Sequence, residues 1–370
     1  MQWQGVTRSQ RRRVRRSFRP VGDTPIRVLS RMQYLVYSPD ALYDDGGLLE
    51  REIGGDLIDL RVEQWRGQAK MNPELLSKAD GLLVWHMVTL DAATIGRLIN
   101  CRIIVRCGTG YNNIDVAAAT ARNIPVCNTP DYGTAEVADH TIALLLALER
   151  GLLPFDEALR ADPVNQFDYR VFLDGRRFAR RIFGTVGSGR IGTATAMRAK
   201  AFGFRVVTYD PYLPRGQEIA LGIERVESLE ELLETADVVS LHVPLTAETV
   251  KLINASAFAR MKPHSTLLNT ARGGLIDWDA LYDALKSGHL RSAGIDVLPT
   301  EPPDPVPNLL QAFSQREPWL RGRLVITPHA AWSSIESRDD ARTISMRTMV
   351  GYLKDKRLRS CLNQQLIHLS

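Results

Sequence analysis

Three stretches of the sequence place a chemically capable side chain just after a β-rich run. They are "LLNTARGGLID" with Arg272, "GIDVLPTEPP" with Asp296 and Glu301, and "VITPHAAW" with His329. Ligands of open α/β sheets bind outside the carboxyl ends of the strands, so these four residues can converge on one crevice. Together they supply what reduction of a 2-oxo acid by hydride transfer needs. The planar fork of Arg272 pairs with carboxylate and carbonyl oxygens together. Histidine changes charge near neutral pH, so His329 can protonate the developing alkoxide and take the proton back in the reverse direction. Glu301 would fix the ring of His329 and favour the imidazolium that donates. Singly, the three read equally as a surface cation, a loop acid and a satisfied core histidine. A nucleotide-binding turn in the same chain gives the combination its chemical meaning.

That turn is "VGSGRIG", Val186, Gly187, Ser188, Gly189, Arg190, Ile191 and Gly192. The first glycine permits a tight strand-to-helix turn, the second lets backbone approach a pyrophosphate, and the third lets the helix pack on the strand. The phosphates then sit at the helix N-terminus, where free N–H groups favour anions. Asp210 ends the next strand in "VVTYDPY" at the expected distance of about 20 residues. It would accept hydrogen bonds from ribose hydroxyls and repel a 2′-phosphate, which favours NAD over NADP. Its plainer reading is a strand-end turn residue before proline. The remaining histidines, His140, His242, His264, His289 and His368, lie on helix or strand faces with no obvious partner and read as structural or solvated.

The elements that must position these groups form two series. From Met32, "MQYLVYS", "DLIDLRV", "GLLVWHMV", "RIIVRCG" and "PVCNT" alternate with helix-like segments, ending near Asn128. A long, largely buried helix follows from Thr134, then a polar, irregular stretch from Leu152 to Asp174. Six more strand candidates come next, "RIFGTVG", "FRVVTYD", "ADVVSLHV", "STLLNT", "RSAGIDV" and "LVITPH", before a helical segment from Ser334 to Leu353. Strands alternating with helices predict an α/β class with two doubly wound parallel sheets.

Residues 1–31 hold nine arginines and one acid, while the whole chain is +5, which leaves residues 32–370 mildly acidic at −3. The basic pole is therefore a leader, read as disordered or misassigned rather than as a nucleic-acid arm or transit segment. No uninterrupted apolar run approaches about 18 residues, so no membrane span is expected. Cys101, Cys107, Cys127 and Cys361 lack any CxxC or Cys/His metal spacing and read as reduced thiols of a cytoplasmic protein, with no metal.

In order along the chain, "GTGYNNID", "VGSGRIG", "NTARGGLID", "GIDVLPTEPP" and "TPHAAW" resemble the D-isomer-specific 2-hydroxyacid dehydrogenase family from about Met32 to Leu362. Within it "RAKAFGF", "YDPYL" and the tryptophan of "HAAW" look most like the C-terminal-binding-protein (CtBP) branch. The resemblance implies a Rossmann NAD-binding domain, residues 129–331, inserted into a flavodoxin-like substrate domain built from 32–128 and 332–370. Two crossing connections would act as hinges, and a homodimer would form mainly through the nucleotide domains.

Carried over residue by residue, the family's catalytic arginine, glutamate and histidine fall on Arg272, Glu301 and His329. Its nicotinamide-amide ligand falls on Asp296 and its ribose ligand on Asp210. Further cofactor contacts fall on Thr109, the turn from Val186 to Gly192, Val243, Pro244, Thr249, Thr270 and Ala271. Substrate contacts fall on Gly108, Thr109 and Gly110, with His86, Arg106 and Trp332 at pocket positions of the CtBP branch. Trp332 would favour a 2-oxo acid with an apolar or thioether tail over glyoxylate. The chain departs from the family at Asn112, where aspartate is common, at Ser188, and in the longer spacer "LQAFSQREPWLRG" between Glu301 and His329. The same resemblance admits an NAD(H)-sensing co-repressor or scaffold as the alternative to an enzyme.

Overall fold

Valine, isoleucine and leucine are concentrated in most of the strand segments, as in parallel strands covered on both faces. The computed structural model describes residues 33–64 and 71–367; the basic leader and His368 lie outside the described residues. In it the first series forms a five-stranded sheet of β1 (Tyr34–Ala41), β2 (Ile58–Gln64), β3 (Gly81–Val84), β4 (Ile103–Arg106) and β5 (Val126–Cys127). Its order is β2-β1-β3-β4-β5, and every pairing is parallel.

The second series builds a seven-stranded parallel sheet from β6 (Ile182–Val186), β7 (Arg205–Tyr209), β8 (Glu224–Arg225), β9 (Val238–Leu241), β10 (Ser265–Asn269), β11 (Leu290–Ile295) and β12 (Leu324–Ile326). The order β12-β11-β10-β9-β6-β7-β8 reverses direction between β6 and β9, the place where doubly wound sheets open a ligand crevice. The two-residue β8 is one strand more than the six read from the sequence.

Two helices connect the sheets. Thr134–Glu149 leaves the first sheet, and its Ile142, Leu144, Leu145 and Leu148 share a core with Phe183, Val206, Val238 and Leu268 of the second. Ile335–Asp355 returns: its Met346, Met349, Tyr352 and Leu353 are buried with Val36, Leu60, Ile103 and Val105 of the first. Its start is set by a capping box in which Ser334 and Ser337 each hold the other's backbone N–H.

One expectation is corrected here. Residues Leu152–Ala161 are helical rather than irregular, with Pro154 tolerated in the first turn and Ala158 buried, while Leu152 and Leu153 face outward. The spacer before His329 also carries a short helix, Asn308–Ser314, anchored by buried Leu309 and Ala312.

Candidate active site

Arg272 follows β10 and its guanidinium reaches across to the loop after β4, where its Nε donates to Asn112 Oδ1 at 2.8 Å. Nη1 turns back to the carbonyl of Ala271 at 2.6 Å. Burial, together with the like charge of Arg106, pushes the Arg272 guanidinium down to about 10, so it stays protonated at neutral pH. Two glycines of "GTG" make room for these cations. A Cβ on Gly110 would lie 1.3 Å from Arg272 Nη2, and one on Gly108 would lie 1.7 Å from Arg106 Nη1. Arg106 is buried, donates to the carbonyl of Cys107 at 2.8 Å, and has no partner for its Nε among the described residues.

His329 sits beyond β12 in a left-handed backbone conformation, φ 53°, uncommon outside glycine. Its N–H donates to the carbonyl of Asp296 at 2.7 Å. The buried Asp296 carboxylate accepts the next two backbone N–H groups, from Ala330 at 2.9 Å and Ala331 at 3.0 Å, and the Thr327 hydroxyl at 2.5 Å. Ring orientation comes from Glu301, whose Oε2 lies 2.5 Å from His329 Nδ1 while Oε1 accepts the Leu298 N–H at 2.8 Å. Burial alone would raise the Glu301 carboxyl; the hydrogen bond and charge of His329 outweigh it and leave Glu301 below the ordinary carboxylate value. With Nδ1 committed, Nε2 is the ring nitrogen left to exchange a proton.

His86 stacks on His329 with ring centroids 4.9 Å apart. Burial, then the charges of His329 and Arg106, hold His86 down to about 3, so it remains a neutral ring. Trp332 meets Trp85 at 6.0 Å and Tyr132 edge-on at 5.8 Å, forming an aromatic wall.

The glycine turn lies at the end of β6. Gly187 takes φ 93°, and a Cβ on Gly192 would lie 2.1 Å from the Gly187 carbonyl, so the helix Arg190–Ala201 can start only with glycine there. Nothing stands within 4 Å of a Cβ on Gly189, which leaves its backbone open to a dinucleotide. Ser188 bonds Thr208 through its hydroxyl, and its N–H donates to Asp210 Oδ2 at 2.8 Å. Asp210 thus lies against the turn.

A cleft of about 360 Å³ joins these parts. Its lining includes Thr109, Gly110, Gly189, Arg190, Ile191, Val243, Pro244, Thr270, Ala271, Arg272, Asp296, His329, His86, Arg106 and Trp332. Val186, Gly187, Ser188, Gly192, Asp210, Thr249, Gly108 and Glu301 are not part of that lining. Thr249 bonds the Pro244 carbonyl at 2.6 Å and shapes its loop.

Sequence reasoning missed Trp85, Tyr132, Asn128 and Asp131, which line the cleft with no motif of their own, and the direct contact of Asn112 with Arg272. Two histidines set aside also stand here. His140 Nε2 bonds Thr327 Oγ1 at 3.0 Å, so it has a partner, and His242 lines the cleft and bonds Ser240 at 2.9 Å.

This arrangement can hold an anion beside a carbonyl, polarise that carbonyl and exchange a proton with it, next to a cradle for a dinucleotide. The description "D-isomer specific 2-hydroxyacid dehydrogenase, NAD binding domain" matches residues 142–331. D-3-phosphoglycerate dehydrogenase of Mycobacterium leprae is 39% identical over 289 residues, 78% of this chain and 52% of that protein. The chain spans about half the length of the curated relatives it matches. Among solved structures, D-lactate dehydrogenase from Aquifex aeolicus complexed with NAD and lactic acid is 27% identical with a TM-score of 0.75, covering 86% of this chain and 95% of that one. A glyoxylate reductase from Paecilomyes thermophila is 27% identical with a TM-score of 0.77, covering 90% and 99%.

Proposed function

The chain belongs to the D-isomer specific 2-hydroxyacid dehydrogenase family, and from that premise we propose that it interconverts a D-2-hydroxy acid and its 2-oxo acid with NAD. The observation that carries this reading is the meeting of Arg272 and the Glu301–His329 pair in one cleft with the glycine turn. NADH, when bound by that turn with Asp210 at its ribose and Asp296 near the nicotinamide amide, supplies the hydride. Arg272 binds the substrate carboxylate and polarises the ketone, aided by the backbone N–H groups of Thr109 and Gly110, whereas the Gly108 N–H is held by the Arg106 carbonyl at 2.8 Å. His329 Nε2 protonates the developing alkoxide, and Glu301 stabilises the imidazolium on the far side of the ring. Arg106, His86 and Trp332 face the rest of the substrate. The aromatic wall around Trp332 favours an apolar tail over a bare glyoxylate.

The finer kinship with the CtBP branch rests on "RAKAFGF", "YDPYL", "RIIVRCGTGYNNID", "NTARGGLID" and Trp332, whereas the curated relatives are D-3-phosphoglycerate dehydrogenases. The catalytic reading is therefore preferred to that of an NAD(H)-sensing scaffold. We read residues 32–128 and 332–370 as the substrate domain and 129–331 as the nucleotide domain. A homodimer is supported by the exposed apolar side chains Val164, Phe167, Tyr169 and Leu173 in the segment after the first crossover helix. Four cysteines without a disulfide fit the cytoplasm.

NADH oxidation measured with a panel of 2-oxo acids tests the reading. Wild type is expected to turn over at least one, and Arg272→Ala and His329→Ala each lose about 100-fold or more in kcat/KM. Activity that persists in both variants would defeat these roles, and no turnover by wild type together with tight NADH binding would favour the scaffold.

A further inference from the structure

At the β5 edge of the first sheet, two of the four cysteines face each other. Cys127 and Cys361 are partners in an antiparallel bridge. The flanking hydrogen bonds run from Asn128 N–H to the Ser360 carbonyl at 3.1 Å and from Leu362 N–H to the Val126 carbonyl at 2.8 Å. Those bonds make Cys127 and Cys361 the non-hydrogen-bonded pair of the ladder, in which opposite Cα atoms lie about 4.5 Å apart and side chains project to the same face. That spacing falls within the range a disulfide spans, about 4.4–6.8 Å. Both side chains pack into the same core cluster. The returning segment is firmly seated: buried Asn363 accepts the Val126 N–H at 2.9 Å and donates to Thr120 Oγ1 at 2.9 Å and the Ile124 carbonyl at 3.0 Å.

We propose that Cys127 and Cys361 form a redox-responsive dithiol site, closed to a disulfide by a low-molecular-weight disulfide and reopened by thiols. The inference is independent of the catalytic reading. Cys361 is part exposed and Cys127 fully buried, which fixes the order of events. The Cys361 thiolate attacks one sulfur of the oxidant, forming a mixed disulfide and releasing one thiolate. Cys127 gives up its proton to that thiolate and attacks Cys361 Sγ, expelling the second. Two protein thiols are oxidised, and one small disulfide is reduced to two thiols. The Cys127 thiol donates to Cys361, which brings Cys361 down to about 7 and holds Cys127 up, in keeping with Cys361 as the attacking sulfur. In the reduced state the Cys361 thiol also lies 3.3 Å from Asn363 Oδ1.

The site adjoins the first crossing connection. Asn128, the residue after Cys127, donates through Nδ2 to the Thr109 carbonyl at 2.7 Å and lines the cleft. Closing the disulfide therefore ties the returning segment to the strand end from which the substrate loop is braced.

The test is incubation of the full chain with oxidised glutathione, followed by digestion without reductant and mass spectrometry. A peptide pair cross-linked through Cys127 and Cys361 is expected, with Cys101 and Cys107 still alkylatable and the cross-link removed by dithiothreitol. Cys361→Ser should give neither cross-link nor adduct. Cys127→Ser should stop at a glutathione adduct on Cys361. A stable Cys361 adduct in wild type with Cys127 still free would overturn the proposal, as would a cross-link through any other pair or none at all. Wild type and Cys361→Ser suffice for the decision should Cys127→Ser fail to fold.

Discussion

At the scale of single residues, the arginine is the side chain whose placement most limits the chemistry. Its guanidinium lies over Gly110, so any side chain there must displace it. Gly110→Ala is expected to lower kcat/KM by about 100-fold, the cost of roughly 1 Å of misplacement, with an unchanged far-UV spectrum and melting temperature; steady-state kinetics beside a thermal melt check this. Asn112 orients the same group through a neutral amide. Asn112→Leu would remove that acceptor and let the guanidinium swing, raising KM by roughly tenfold, about 1.4 kcal/mol, while kcat changes less. A KM unchanged by that substitution would argue that Asn112 does not position Arg272. Arg272, Glu301 and His329 were legible because each sits in a motif at a strand end. Trp85 and Tyr132 were not, because an aromatic beside a strand reads as core until the fold shows a cleft in front of it.

Among the elements, the strands were the easiest to read: β3, β4, β9 and β10 are short, apolar-rich runs buried at every residue, as a parallel sheet covered on both faces requires. The helix Leu152–Ala161 escaped because Pro154 and outward-facing leucines break its pattern, and β8 because two residues carry no period. The helix that bridges the sheets is held by its apolar face. Leu145→Ala should cost about 2–5 kcal/mol of unfolding free energy in urea.

The returning helix adds an electrostatic anchor. Arg342 reaches Glu50 at 2.7 Å and Asp45 at 2.8 Å and lies over the Tyr43 ring. Burial would raise the Asp45 carboxyl, but the hydrogen bond and charge of Arg342 win and hold it below its ordinary value. A carboxyl depressed in the folded state contributes stability above its unfolded value of about 3.9, which is lost as pH falls through the folded value. Arg342→Met should therefore destabilise by about 3–5 kcal/mol at neutral pH, with the gap to wild type narrowing below about pH 4. Urea titrations at the two pH values would show equal gaps if the pairing carried no stability.

At the scale of the molecule, Phe167 is 84% exposed and Tyr169 77%, side chains that a solitary chain would leave in water. Sedimentation equilibrium is expected to give a dimer for wild type and a monomer for the double variant Phe167→Asp/Tyr169→Asp. The interleaved path of the chain has a further consequence, for its birth. The core of the first sheet contains Met346, Met349 and Tyr352, which leave the ribosome only after every strand of the second sheet. At about 5–20 residues per second the first strands made must wait on the order of tens of seconds for their covering helix. The half translated second is thus the half that can fold first, and a chain truncated after Ala331 and released should resist protease across β6 to β12 while β1 to β5 are still cut.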